Sequence, residues 1–144
     1  MEIHIVDRIK GALHVVINCE QINDEVTRLK EYIELFDNKL QVNKGNEICF
    51  VNLSDVLYFE SVDNRTFLYT ESDVMEVKQR LYELELMLSP KDFLRISKSQ
   101  IVNINKISSL KPELNRTILV TMCNGERLYI SRKYVRTIRN LLSV

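Results

Sequence analysis

Three short polar clusters hold most of the side chains here that could recognise another molecule. They are Asp63-Asn64-Arg65, Ser97-Lys98-Ser99-Gln100 and Ser131-Arg132-Lys133. Asn and Arg offer paired hydrogen-bonding groups that match the edges of nucleic-acid bases, while Lys, Ser and backbone amides suit phosphate oxygens. Starting within the third cluster, Arg132, Arg136 and Arg139 fall at i, i+4 and i+7, which is one face of a helix. Taken singly, each cluster is an ordinary polar turn. Only if the three converge do they make a surface for an anion, and spacing along the chain does not show convergence.

Constellations for catalysis and metal binding are missing. The chain has only three glycines and no Gly-rich phosphate loop. His4 and His14 fall in expected strands with no metal-ligand spacing around them. No serine or cysteine has a histidine at a suggestive position, and Glu83 and Glu85 read as solvated helix positions. The expectation is a protein that is not an enzyme, with no cofactor, no metal and no small-molecule substrate. Cys19, Cys49 and Cys123 are scattered and odd in number. They read as free, mostly buried thiols in a reducing compartment.

The 144 residues suit one ordinary domain with a short appendage. A chain of this size buries about two-thirds of its unfolded surface, enough for a core without staples. The longest apolar stretch, Ala12 to Ile17, is broken by His14 and is far too short to cross a bilayer. No basic region followed by an apolar run opens the chain, so no secretory signal is expected and the cytoplasm is the expected location. Net charge is zero but unevenly spread. Residues 91–144 carry eleven Lys/Arg against Asp92, Glu113 and Glu126, a balance of +8; residues 1–90 carry nine against seventeen, a balance of −8. Such polarity favours an anionic partner for the C-terminal part.

The elements that must position the clusters are mostly short strands. Ile3 and Ile5, then Val15, Ile17 and Cys19, alternate with polar neighbours and predict two strands. Asn23 and Asp24 then cap a helix with Val26, Leu29, Ile33 and Phe36 on one side. Together these make a small ββα unit, residues 1–39, separated by Asn38 from residues 40–144. In the larger part, β-branched and aromatic runs predict strands at 48–51, 56–60, 66–70, 93–96, 101–104, 107–110, 117–123 and 127–130. Val77, Leu81, Leu84 and Leu88 form a helical stripe ended by Ser89-Pro90. Asn124-Gly125 is a two-residue hairpin signal. Ser131 caps a last helix that turns Tyr134 or Val135, Ile138 and Leu141 inward. The fold class is mainly β with helices, α+β.

Three segments, in order, are similar to one family. Val56-Leu57-Tyr58-Phe59-Glu60-Ser61 resembles the "hydrophobic-Tyr-hydrophobic-Glu" strand of LytTR DNA-binding domains. The stretch Phe93-Leu94-Arg95-Ile96-Ser97-Lys98-Ser99-Gln100-Ile101-Val102-Asn103 resembles that family's "Phe-x-Arg-x-x-x-Ser-x-hydrophobic-Val-Asn" signature. Asn124-Gly125-Glu126 followed by Leu128-Tyr129-Ile130-Ser131-Arg132-Lys133-Tyr134 resembles its closing "Gly … hydrophobic-x-Val/Ile-Ser-Arg-x-Tyr". The matches span about residues 40–144.

The resemblance implies an elongated fold of three small antiparallel sheets with helices alongside. It also implies a cytoplasmic transcription regulator that inserts loops into successive major grooves and binds paired direct repeats of double-stranded DNA as a homodimer. By position, Asn64 and Arg65, Ser97, Lys98 and Ser99, and Arg132 and Lys133, with Arg136 on the adjoining helix face, would contact DNA. Ser97 stands where many relatives have histidine, and a family histidine near Asn64-Arg65 is also absent, so base preference should differ. Arg95 and Asn103 of the signature are assigned to structure. Forty residues cannot hold the phosphoacceptor receiver of response-regulator relatives, so residues 1–39 read as a regulatory or dimerisation unit. The stand-alone subfamily that the chain resembles is often restrained by a small integral-membrane protein. The competing reading is an interaction protein that does not read DNA and sequesters another regulator; the +8 balance of residues 91–144 argues against it.

Overall fold

The protein was examined as a computed structural model, which describes residues 1–6, 15–36 and 39–143. The expected pair of N-terminal strands does not form: residues 1–6 and 15–23 contain no strand, and Ile3, Ile5 and Val15 are exposed. Alternation alone does not hold a strand that has neither a ladder partner nor an apolar surface to cover. His14 lies outside the described residues. The helix α1 (Asp24–Phe36) does form, and Asn23 Oδ1 caps it by accepting from the Val26 amide at 3.0 Å.

Ten strands follow. They are β1 (Lys39–Lys44), β2 (Glu47–Asn52), β3 (Tyr58–Val62), β4 (Arg65–Tyr69), β5 (Val74–Val77), β6 (Phe93–Arg95), β7 (Gln100–Asn103), β8 (Ile107–Pro112), β9 (Ile118–Met122) and β10 (Arg127–Ile130). Helix α2 (Leu81–Met87) lies between β5 and β6, and α3 (Arg132–Leu142) closes the chain. Every pairing is antiparallel, in a seven-stranded sheet ordered β2-β1-β5-β4-β3-β7-β6 and a three-stranded sheet ordered β10-β9-β8. A single register pair, Asn43↔Glu76, joins the β1–β2 hairpin to β5. The large sheet is thus a hairpin joined to five strands, so where three small sheets were expected the described residues form two.

The central strands are covered on both faces. Phe59, Leu68 and Ile101, opposite one another in the ladders, pack with Leu40, Val42, Leu81 and Leu84 on the α2 side. Their alternate neighbours Tyr58 and Val102 pack with Ile118, Val120, Leu128, Ile130 and Ile138 on the β8–β10 and α3 side. Tyr58 and Tyr69 stack with ring centroids 4.3 Å apart. Burial, then the Glu126 carboxylate of the β9–β10 turn, pushes the Tyr58 hydroxyl well above the ordinary tyrosine range.

Several sequence expectations are corrected here. Val77 belongs to β5, not to the helix: Met75 and Val77 are buried at period two, and this four-residue strand was hidden by the helical spacing of Val77 to Leu81 and Leu84. Strand β1 forms without a β-branched or aromatic run to mark it, on the alternation of Leu40 and Val42. In α3 the inward face runs through Tyr134, Val135, Ile138 and Leu142, and Leu141 is exposed. Cys19 and Cys123 are exposed free thiols, not buried ones. Around Asn124-Gly125, Met122 bonds to both Gly125 and Glu126, and Gly125 alone takes positive φ, +89°. That is a three-residue loop with a glycine bulge. The two-residue turn is elsewhere: Asp63 and Asn64 both lie at positive φ, 51° and 61°, between the paired Val62 and Arg65.

Candidate nucleic-acid interface

Backbone hydrogen bonds bring the three polar clusters to one end of the central sheet. Strands β3 and β7 are antiparallel with Glu60 opposite Gln100, so the Asp63-Asn64 turn and the Ser97–Ser99 turn leave the sheet on the same side. The Ser61 amide donates to the Ser99 carbonyl at 2.8 Å, and the Ser131 amide donates to the Ile96 carbonyl at 2.9 Å. The second bond fixes the start of α3 beside the β6–β7 turn. Residues more than thirty positions apart thus share one edge of the molecule.

Each side chain named from sequence can now be placed. Asn64, Arg65, Lys98, Arg132, Lys133 and Arg136 are exposed; Ser97 and Ser99 are half-buried. Ser97 Oγ accepts from the Ser99 amide at 3.2 Å and lies 3.4 Å from Ser99 Oγ, a serine turn that shapes the loop. Lys98, at its tip, has no carboxylate partner, and neither do Arg132, Lys133 and Arg136 among the described residues. Lys133 Nζ instead sits 5.5 Å from the Tyr134 ring centroid.

Arg65 differs from these. Its Nε and Nη2 donate to the two carboxylate oxygens of Glu76 on β5, the first at 3.0 Å, and its guanidinium lies 5.4 Å from the Phe67 ring centroid. The hydrogen bonds from Arg65 hold the Glu76 carboxyl below its ordinary value, and the same contact raises Arg65. Arg65 sits at the assembled end, but its charge is already matched.

Helix α3 begins with Arg132 and Lys133 and has no acidic residue in its first turn. Cations there oppose the helix dipole. Ser131 occupies the cap position, as expected, but its side chain makes no capping bond; its carbonyl accepts from Tyr134 at 2.9 Å. Uncapped first-turn amides beside exposed, unpaired cations form a surface that an anionic oxygen would satisfy.

Two signature residues support the scaffold. Asn103 is 2% exposed; its Nδ2 donates to the Val56 carbonyl at 2.8 Å and its Oδ1 accepts from Asn105 at 3.1 Å. Arg95 grips the β6–β7 turn, donating from Nε to the Ser97 carbonyl at 2.6 Å and from Nη2 to the Lys98 carbonyl. Its Nη1 meets Glu85 at 3.1 Å, so Glu85, at the exposed helix position expected of it, is also an ion-pair partner. Arg80, passed over in the sequence, donates to the Asn64 carbonyl at 2.9 Å. No local signal marks it, because its acceptor is a backbone atom sixteen residues away.

A cleft of about 830 Å³ lies between Tyr32 of α1, the end of α2 and residues 89–93 and 103–105. It adjoins the start of β6 and the end of β7, so it occupies the opposite end of the sheet from the polar turns. Among the described residues, no group of three or more His, Cys, Asp or Glu could hold a metal ion, and no helix is long and apolar enough to cross a membrane.

Comparison with known proteins bears on the family and the fold. Residues 46–143 match the family model described as the LytTr DNA-binding domain. An uncharacterised HTH-type transcriptional regulator of Staphylococcus aureus (strain NCTC 8325 / PS 47) is 33% identical over 133 residues, covering 91% of this chain and 90% of that protein. A similarly named protein of strain MRSA252 is 32% identical over the same length and shares. Among solved structures, a LytTr DNA-binding domain of a methyl-accepting/DNA response regulator from Bacillus cereus is similar, with a TM-score of 0.71 and 32% identity. It covers 74% of this chain and 98% of that one. The chain belongs to the LytTR DNA-binding domain family.

Proposed function

We propose that this chain is a sequence-specific transcription regulator that reads double-stranded DNA through the Asp63-Asn64 turn, the Ser97–Ser99 turn and the start of α3. The observation that carries the reading is the meeting, at one end of the central sheet, of these three segments with four exposed cations that no carboxylate neutralises among the described residues: Lys98, Arg132, Lys133 and Arg136. The uncapped amides of α3 suit a phosphate, and Lys98, Lys133 and Ser99 suit further phosphate oxygens. Asn64 and Arg132 have the planar groups that read base edges. Arg65 contributes only where DNA displaces Glu76. The relatives' names mention a helix-turn-helix type, but every described helix here is separated from the next by strands. Turns and a helix start are the reading elements that fit.

In this proposal the chain binds paired direct repeats as a homodimer, one protomer per repeat, in major grooves a helical turn apart. Its work on DNA lies in the cytoplasm. Residues 1–39 serve regulation or dimerisation, and 40–144 read DNA. A small integral-membrane protein is a suitable restraint, because Ile3, Ile5, Val6, Val16 and Ile22 are exposed apolar side chains with no cover of their own. A membrane pull-down that captures nothing specific would remove that part of the proposal.

The deciding experiment is a selection of duplexes from a random pool with purified protein at moderate salt. The expected result is enrichment of a repeated half-site at helical-turn spacing. Weak, strongly salt-dependent binding with nothing enriched would instead favour a protein that sequesters another regulator.

A further inference from the structure

We propose that helix α2 is the common support for two of the DNA-reading turns, and that Arg80 and Glu85 are positioning residues for sequence recognition. Nothing in the comparisons assigns either residue a role, and the inference rests on the reading end proposed above. Arg80 directly precedes α2 and donates from Nη1 to the carbonyl of Asn64 at 2.9 Å. Asn64 is the second left-handed residue of its turn. Its carbonyl orientation and its side-chain direction are set by the same backbone torsions, so a bond to one restrains the other.

Glu85 acts on the second turn through Arg95. The Arg95 guanidinium bonds to the carbonyls of Ser97 and Lys98 and to Glu85 Oε2. Its side chain is only 17% exposed, and all three nitrogens are engaged, so it has little left to offer DNA. Glu85 therefore fixes the orientation of the fork that aims Lys98.

The helix is a firm base for both arms. Leu81 and Leu84 are buried in the cluster that includes Phe59 of β3 and Ile101 of β7, the strands from which the two turns emerge. The positions of the turns relative to each other thus depend on one short helix, and so does the spacing between the groups that would read neighbouring bases.

The test uses the full chain with Arg80→Met, Glu85→Ala and Arg80→Lys. For each, affinity is measured for the duplex enriched by the wild-type protein and for a scrambled duplex, together with the salt dependence and the melting temperature. Arg80→Met and Glu85→Ala are expected to lose on the order of tenfold in discrimination between the two duplexes. Binding to scrambled DNA and the melting temperature should stay near wild type. Arg80→Lys keeps a donor and a charge and should restore discrimination. Unchanged discrimination in both variants overturns the inference, as does a parallel loss on both duplexes or a loss that follows melting temperature. A wild-type protein that fails to discriminate at all is a separate result: it refutes the proposed function and takes this inference with it.

Discussion

Arg132→Ala gives the sharpest test of where the DNA-binding surface lies. Four exposed cations without carboxylate partners among the described residues stand at the end of the sheet proposed to meet DNA: Lys98, Arg132, Lys133 and Arg136. A protein that neutralises Z phosphates shows a slope of log affinity against log salt of about −0.9Z, so four contacts give about −3.6 per bound chain and three give about −2.7. Between about 50 and 200 mM salt, that is a fall of roughly 150-fold for the native protein and roughly 40-fold for the variant. Fluorescence anisotropy with a labelled duplex at several salt concentrations measures both slopes. The control is the double substitution Arg65→Ala with Glu76→Ala, which removes an ion pair that is neutral as a unit and should leave the slope unchanged. If Arg132 reads a base instead, its removal should cost about 1–3 kcal/mol at one position of the site while other positions are read normally. A native slope in Arg132→Ala with no change in preference, or an equal reduction in the control, would refute the assignment.

Three further outcomes follow from the packing. Asn103→Ala loses three hydrogen bonds and strands the buried Val56 carbonyl, which should cost about 2–4 kcal/mol. Urea unfolding should then show a lower midpoint at unchanged slope, and a change under about 0.5 kcal/mol would contradict the geometry. Tyr58 is raised above its ordinary 10.0, first by burial and then by Glu126, so the unfolded chain loses this proton first as pH rises. The resulting stability is complete below about pH 10 and is lost above it; melting curves of Tyr58→Phe should decline less steeply than wild type on the alkaline side. A fragment of residues 39–144 keeps β1 whole but loses the α1 contacts, including the Tyr32 hydroxyl bond to the Leu86 carbonyl. It should stay folded and bind DNA, and aggregation on gel filtration would show that α1 completes the core.

Much of this fold could be read locally. The β10 strand matches its expected range, Asn23 caps α1, and the family signature located the segments that match the LytTr model. Misreadings arose where two periodicities overlapped or where a partner was needed. Val77 fits a helical stripe and a strand equally well, and only its pairing with Thr66 decides. Ile3 and Ile5 alternate as strand residues do, yet among the described residues no strand takes them up. Leu141 and Leu142 are adjacent leucines, and a rotation of one residue chooses between them. The assembled end was not legible, because it depends on ladder register and on bonds such as Ser61 to Ser99 and Ser131 to Ile96. Nor was the engagement of Arg65 by Glu76, which comes from the β4–β5 pairing. The same pairing gap hid Arg80 and Glu85.

The tight turn at Asp63-Asn64 has a consequence for the cost of association. Both residues hold left-handed backbone that ordinary side chains visit at a cost of about 1–2 kcal/mol each, less for Asp and Asn, and the flanking Val62↔Arg65 pair keeps them there. That ordering is completed when the protein folds. What remains to be frozen at the tip on meeting a ligand is the rotamer freedom of one short side chain, Asn64, whereas a flexible loop would lose backbone entropy of about 1–2 kcal/mol for every residue ordered. The turn behaves as a pre-set die: it gives up adaptability to different surfaces in return for a nearly rigid fit to one.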